Sequence, residues 1–346
     1  MLKILLIKRG AIGDLLLATP LIRQLKQKLH CQIDIVVGKS ASGALENNPY
    51  ISQKFILADR DFNLSLSWRL AKQLLLLRDN YEYVFVLDKH WYFNLLAKIV
   101  GAPVVGYVRE KLSKYILNSS VSYDNVERYH GLYYLDLLRA SGLAPANYED
   151  LGLDLVVTQS DKQRVDNFLA NEQLYQFVII VNSGGNNAYE QAGLRMLPEV
   201  KMVEFLNELL RKGKTILLAG SSIDFEHNQD YINQLNVGNK IRNVAGKFNL
   251  AASSYLFSRA QHCYMTDCGA MHLAIAQNLG NRLSAFFGPT NPAHILPLNY
   301  LEKSAYWQDQ ATYHPNYQLN GNQQNPEPEY FSKFDAKLIL SKIDNC

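Results

Sequence analysis

Short apolar runs alternate along the chain with longer stretches in which apolar positions recur every three to four residues. The first pattern predicts strands and the second amphipathic helices. In the first half, strands are expected at Ile4–Lys8, Gln32–Val37, Lys54–Leu57, Tyr83–Leu87 and Val104–Tyr107, with helices over Gly13–Leu29, Ser67–Arg78 and Tyr92–Val100. Near-continuous apolar strands separated by helices belong to parallel sheets covered on both faces. A helical segment, Arg128–Ser141, leads into a Pro-containing connection ending at Asp150, and the alternation restarts with a helix near Gln163–Asn171. Strands then follow at Phe177–Asn182, Thr215–Ala219, Arg242–Val244, His262–Thr266 and Leu283–Phe287. Helices are expected at Glu199–Arg211, Phe225–Leu235, Ala251–Arg259 and Met271–Gln277. Residues 306–330, rich in Tyr, Asn, Gln and Pro, read as a long loop, and Phe331–Ile343 as a terminal helix. The expected fold class is α/β, two doubly wound parallel-sheet domains facing each other across a cleft. The expected divisions are residues 1–160, residues 161–328, and a terminal segment 329–346 packing back on the first domain.

Composition narrows the function. A chain of 346 residues with 48% hydrophobic content can bury two cores. It has no apolar run of the roughly 18 residues that a membrane span requires. Met-Leu-Lys runs straight into an apolar strand, without the arrangement of a signal peptide, so a cytoplasmic protein is expected. Cys31, Cys263, Cys268 and Cys346 show neither metal nor redox spacing. A net charge of +3 is too small to argue for nucleic acid. The charge is uneven, however: residues 1–150 hold 19 Lys/Arg against 14 Asp/Glu, and the remainder 16 against 18. An ordinary solvated surface explains this, while an anionic acceptor or membrane surface is the more specific reading.

Candidate chemistry lies in the strand-to-helix turns. Asp267-Cys268-Gly269 closes one apolar strand and opens a helix, leaving backbone N–H groups free to bind an anion, and His272 lies one helical turn in. Gly288-Pro289-Thr290-Asn291-Pro292 follows the next strand. Adjacent strand ends of this kind make a ligand crevice at the carboxyl edge of a parallel sheet, although two plain βα turns with a structural His would look the same. Nucleotide motifs fail. Gly38-Lys39-Ser40 and Gly213-Lys214-Thr215 lack the upstream Gly of a P-loop, and Arg9-Gly10-Ala11-Ile12-Gly13-Asp14 is not a dinucleotide fingerprint.

Lys8-Arg9-Gly10-Ala11-Ile12-Gly13-Asp14 with Thr19-Pro20, the Asp267–His272 turn and Gly288–Pro292 together resemble the family 9 glycosyltransferases. These are the ADP-heptose:lipopolysaccharide heptosyltransferases of Gram-negative bacteria. The resemblance implies a GT-B fold, with an acceptor-binding first domain and an ADP-sugar-binding second one. It also implies inverting transfer of a heptose from ADP-heptose to the inner core of lipopolysaccharide or lipooligosaccharide, without a metal or other cofactor. The family's catalytic carboxylate falls on Asp14, as general base, with Gly13 beside it as a donor contact. Its donor contacts fall on Ser183, Gly184 and Gly185, on Asp224 and Phe248, and on Asp267, Cys268, Gly269 and His272. Cys268 stands where the family usually has Thr. Arg195, in Arg195-Met196-Leu197-Pro198, takes the place of the family's Lys and would neutralise the departing diphosphate.

Rival structural roles stand beside these: helix capping for Asp14 and Asp224, a core position for Phe248, an exposed helix start for Arg195. For the acceptor, Arg9, Lys89, His90, Arg109 and Lys111 are candidates to meet anionic groups of a glycolipid, although such a residue taken alone is more often a solvated one. No Asp-x-Asp pair stands beside the diphosphate turn, so no metal is expected there. Peripheral contact with the cytoplasmic face of the inner membrane is expected, and nucleic acid is not. Other readings are a family member using another acceptor, such as a protein serine, or another sugar nucleotide, and a GT-B sugar-nucleotide 2-epimerase.

Overall fold

The computed structural model describes residues 1–62, 67–109, 113–123, 128–185, 192–235, 238–303, 307–308 and 330–344. Contacts divide the chain into two compact units, Met1–Val156 and Val157–Cys346. The first holds β1 (Lys3–Lys8), β2 (Gln32–Gly38), β3 (Gln53–Leu57), β4 (Tyr83–Val86), β5 (Val104–Val108) and β6 (Ser119–Ser122), in the spatial order β3-β2-β1-β4-β5-β6. The second holds β7 (Val178–Val181), β8 (Ile216–Leu218), β9 (Ile241–Asn243), β10 (His262–Thr266), β11 (Leu283–Phe287) and β12 (Trp307–Gln308), in the order β12-β11-β10-β7-β8-β9. Every pairing in both sheets is parallel. Each unit is therefore doubly wound, with its order reversing at one switch point: between β1 and β4, and between β7 and β10.

The central strands are apolar on both faces because helices cover both. Ile4, Leu5, Leu6 and Ile7 are fully buried. On one face of the first sheet, Leu70, Leu74, Phe93 and Ala97 pack on Leu5, Ile7, Val84 and Val86. The expected helix Gly13–Leu29 is two helices, Ile12–Leu17 and Thr19–Leu29, because Pro20, lacking an N–H, opens a new helix. Strand β6 carries no apolar run, which is why the pattern missed it; only Val121 in it is buried.

The Pro-containing connection is fastened to the helix Thr19–Leu29. Gln24 and Asn147 exchange two hydrogen bonds (2.8 Å each), Thr19 Oγ1 accepts from the Asp154 N–H (2.8 Å), and Arg23 pairs with Asp150 and Asp154. The apolar face of the terminal helix, Ala336–Asp344, enters the second unit's own core. There Ile339 and Leu340, with Phe331 and Phe334, join Phe205 and Phe286. Edge-to-face rings, Phe205 on Phe286 and Phe286 on Phe334, hold this cluster.

Candidate functional site

In the first unit, two charged residues end buried strands at the switch point. Lys8 closes β1 and Asp88 follows β4; Lys8 Nζ lies 3.0 Å from Asp88 Oδ1 and 3.5 Å from Asp14 Oδ2. The lysine side chain is 4% exposed, whereas that of Asp14 is 42% exposed and open to a ligand. Burial works against the ammonium, but attraction to Asp88 and Asp14 outweighs it and raises the Lys8 pKa. Asp88 Oδ2 also accepts the Arg9 backbone N–H (2.6 Å), which ties down the turn leading to Asp14. Gly38 presses on that turn from β2. A Cβ there would sit 2.2 Å from the Arg9 carbonyl oxygen, so only glycine allows the approach. Asp14 is the third residue of the helix Ile12–Leu17, and buried Gly13 precedes it.

Lys89 sits half-buried beside this group. Its Nζ donates to Tyr123 Oη (2.7 Å) and lies 4.1 Å from that ring's centroid. Burial, with Lys8 and Arg109 nearby, lowers its pKa to about 8 despite the pull of Asp14. Tyr107, Tyr123 and Tyr134 are kept protonated by burial, reinforced by Asp14. His90 and Arg109 are exposed, Arg9 is half-buried, and Lys111 lies outside the described residues.

In the second unit the candidate residues follow the carboxyl edge of the sheet. Ser183 and Gly184 end β7, and the Ser183 N–H and carbonyl are both held by Thr266 Oγ1 of β10 (2.9 and 2.7 Å). Gly185 turns with φ +76°, a conformation that disfavours other residues. At the neighbouring strand end, Asp267 leads through Cys268 into the helix Gly269–Ala276, which carries buried His272 in its first turns. Arg195 Nη1 lies 3.3 Å from Asp267 Oδ2, both side chains largely buried. Asn182 secures the loop bearing Arg195: its Nδ2 donates to the Leu197 carbonyl (3.0 Å) and its Oδ1 accepts the Leu197 N–H (2.8 Å). Burial raises the Cys268 thiol to about 12, opposed by the Ala270 and Met271 N–H groups, so it is protonated at neutral pH.

Asp224 and Phe248 complete the line beyond β8 and β9. Asp224 Oδ2 accepts from the Ser221 N–H (2.7 Å) and hydroxyl (2.8 Å), a capping box of the kind weighed as its alternative role. It lies near enough to Cys268 to act on that thiol electrostatically. The Gly246 N–H donates to the Gly220 carbonyl (3.0 Å), which joins the Phe248 loop to the Asp224 loop. Phe248 itself is half-buried, edge-on to Phe168 (5.4 Å) and under Arg164 (5.5 Å).

The second unit thus brings together Ser183, Gly184, Gly185, Arg195, Asp224, Asp267, Cys268, Gly269 and His272, with Phe248 at the end of the row. Gly13 sits with Asp14 in the first unit. Lys8, Asp88 and Asn182 are not among the site residues that the sequence singles out. Their common signal is a polar residue ending an apolar strand next to the point where strand order reverses.

Two doubly wound units with ligand-type turns at their switch points define the GT-B class of transferase. The chain belongs to glycosyltransferase family 9 (heptosyltransferase), whose profile matches residues 67–318. It is similar to lipopolysaccharide heptosyltransferase 2 of Escherichia coli K12, 23% identical over 309 residues, and to lipooligosaccharide heptosyltransferase 2 of Haemophilus influenzae, 26% identical over 319. Each alignment covers 86% of both chains. Among solved structures, the family 9 glycosyl transferase of Veillonella parvula superimposes with a TM-score of 0.77 at 18% identity, covering 99% of this chain and 96% of that one. The E. coli ADP-heptose lps heptosyltransferase II gives 0.74 at 19%, covering 99% and 98%. The chain is therefore a glycosyltransferase of this enzyme family.

Proposed function

We propose that this enzyme moves a heptose from ADP-heptose to the inner core of lipopolysaccharide or lipooligosaccharide, with inversion at the sugar carbon and without a metal. The observation that carries the donor reading is the order of residues along the second sheet. Asp267, Cys268 and Gly269 follow β10, with Arg195 paired to Asp267, Ser183 follows β7, Asp224 follows β8 and Phe248 follows β9. Strands lie about 4.8 Å apart, so these positions span the succession sugar-diphosphate, ribose and base of a nucleotide sugar. Backbone N–H groups at a helix start and a fixed guanidinium suit the departing diphosphate.

Asp14 is the base in this reading. As the acceptor oxygen attacks the anomeric carbon, its proton passes to Asp14, while the bond to the diphosphate breaks with its electron pair. Lys89, Arg9 and Arg109 meet anionic groups of the acceptor. Contact with a membrane surface is supported by the helix Trp68–Leu76, which leaves Trp68, Leu75 and Leu76 exposed beside Arg69 and Lys72.

The test combines the protein with ADP-heptose and a panel of truncated core acceptors, read by mass spectrometry. Asp14→Asn should lower turnover by roughly 10²-fold or more, with ADP affinity little changed. Calorimetry should show ADP bound more tightly than UDP. Equal or tighter UDP binding contradicts the donor, and near-parental turnover of the Asn variant contradicts the base.

A further inference from the structure

Lys8 is a buried cation with two carboxylates in reach, and the two differ. Asp88 is itself buried, takes the closer contact at 3.0 Å, and spends its other oxygen on the Arg9 N–H. Asp14 is the farther partner, 3.5 Å away and 42% exposed. A buried ammonium demands a counterion in every protonation state of its surroundings, because an unpaired buried charge is strongly destabilising. Were Asp14 the sole counterion, protonating it would strip Lys8 of its partner, and Asp14 would make a poor base.

We propose that Asp88 is a positioning residue: as the permanent counterion of Lys8, it lets Lys8 orient Asp14 without tying up the proton-accepting carboxylate. This rests on the reading of Asp14 as base and adds the device by which that base is released. When Asp14 takes the acceptor proton, Lys8 stays charged and paired with Asp88; the proton later leaves Asp14 for water, and the site returns to its starting charge. The Arg9 N–H bond adds a mechanical part, since it anchors the turn that carries Asp14.

The surroundings allow a clean pH measurement. Among the described residues, the charged or titratable groups acting on this cluster include, besides Lys8, Arg9 and Asp88, Lys89, Arg109 and the tyrosines at 107, 123 and 134, on which Arg128, Asp136, Tyr129 and Tyr133 act in turn. The tyrosines stay protonated through burial, and Lys89 titrates on the alkaline side at about 8. Lys89 and the tyrosines thus stay clear of the acid limb of the kcat/KM profile, and the displacement of that limb between variants is the readout.

The experiment compares that limb in the intact enzyme with Lys8→Met and Asp88→Asn. Removing the ammonium should move the limb up by about one pH unit, as expected for the loss of an opposite charge at this range. Removing Asp88 should move it down, since Lys8 turns wholly onto Asp14, and should lower kcat about tenfold while KM for the donor holds. Opposite shifts support the proposal; a limb unmoved in both variants, with only stability lost, overturns it. If Lys8→Met does not fold, Asp88→Asn decides alone: a downward shift supports the proposal, and an unchanged or upward limb overturns it. Asp14→Asn, run in parallel, separates the two failures. Near-parental turnover there removes the base itself, whereas an inactive Asn variant with unmoved limbs removes only the role of Asp88.

Discussion

Arg195 and Lys89 are the residues at which charge is easiest to test. The Arg195 guanidinium faces Asp267 at the end of β10, and the Asn182–Leu197 clamp holds its loop. Taking Arg195 as the group that neutralises the leaving diphosphate, Arg195→Ala should cut kcat by about 10²-fold or more. Arg195→Lys should keep part of the activity, since it restores charge without the fork. Steady-state kinetics on variants with native circular dichroism checks this, and an Ala variant of undiminished kcat removes the role. Lys89 gives a pH signature with a definite sign. Burial lowers its pKa to about 8, so it is charged below that pH and neutral above it. KM for an anionic acceptor should therefore rise as pH climbs through about 8, and Lys89→Met should flatten the rise. A KM that stays level from pH 7 to 9 in the parent enzyme would rule Lys89 out of acceptor binding.

Among the elements, the helix Trp68–Leu76 leaves an apolar outer face exposed. Leu70 and Leu74 enter the core, while Trp68, Leu75 and Leu76 are 59, 56 and 68% exposed. Positions 68, 72, 75 and 76 fall on one side of the helix, so Lys72 shares the apolar stripe. Aromatic and aliphatic side chains flanked by cations are the composition of helices that lie in a bilayer interface. Replacing Trp68, Leu75 and Leu76 by Ser should lower binding to phosphatidylglycerol-containing vesicles at least tenfold, measured by co-sedimentation, and leave turnover of a delipidated acceptor unchanged. Equal vesicle binding by parent and variant refutes the contact. Elements also show where pattern reading ends. Pro20 split a helix that the apolar spacing had joined, and Ser119–Ser122 pairs along β5 although its composition carries no strand signal.

For the whole molecule, the two units repeat one strand order, and each sets polar strand-end residues where that order reverses: Lys8 and Asp88 in the first, Ser183 and Asp267 in the second. Transition-state charge in the proposed reaction is met by Arg195 and backbone N–H groups. Among the described residues, no group of three or more His, Cys, Asp or Glu is placed to hold a metal ion. In the proposed metal-free scheme turnover should survive excess EDTA; loss restored by magnesium would contradict it. Among the described residues, no helix is long and apolar enough to cross a membrane.

The alternation of buried strands and amphipathic helices was legible because both periodicities are local, and so were the turns at Asp14, Ser183 and Asp267, which sit where apolar runs stop. Apolar spacing alone determined a parallel α/β chain in two halves. Tertiary structure decided which strand ends became neighbours. Lys8 meets Asp88 from 80 residues away, and Arg195 meets Asp267, because β1 pairs with β4 and β7 with β10. It also gave Gly38, read first as a failed phosphate loop, its place against the Arg9 carbonyl. It turned the terminal helix into its own unit's core, where Phe205 and Phe286 offered apolar surface to Phe334 and Leu340. Periodicity tells a side chain which face to bury, and only the folded sheet order supplies what it is buried against.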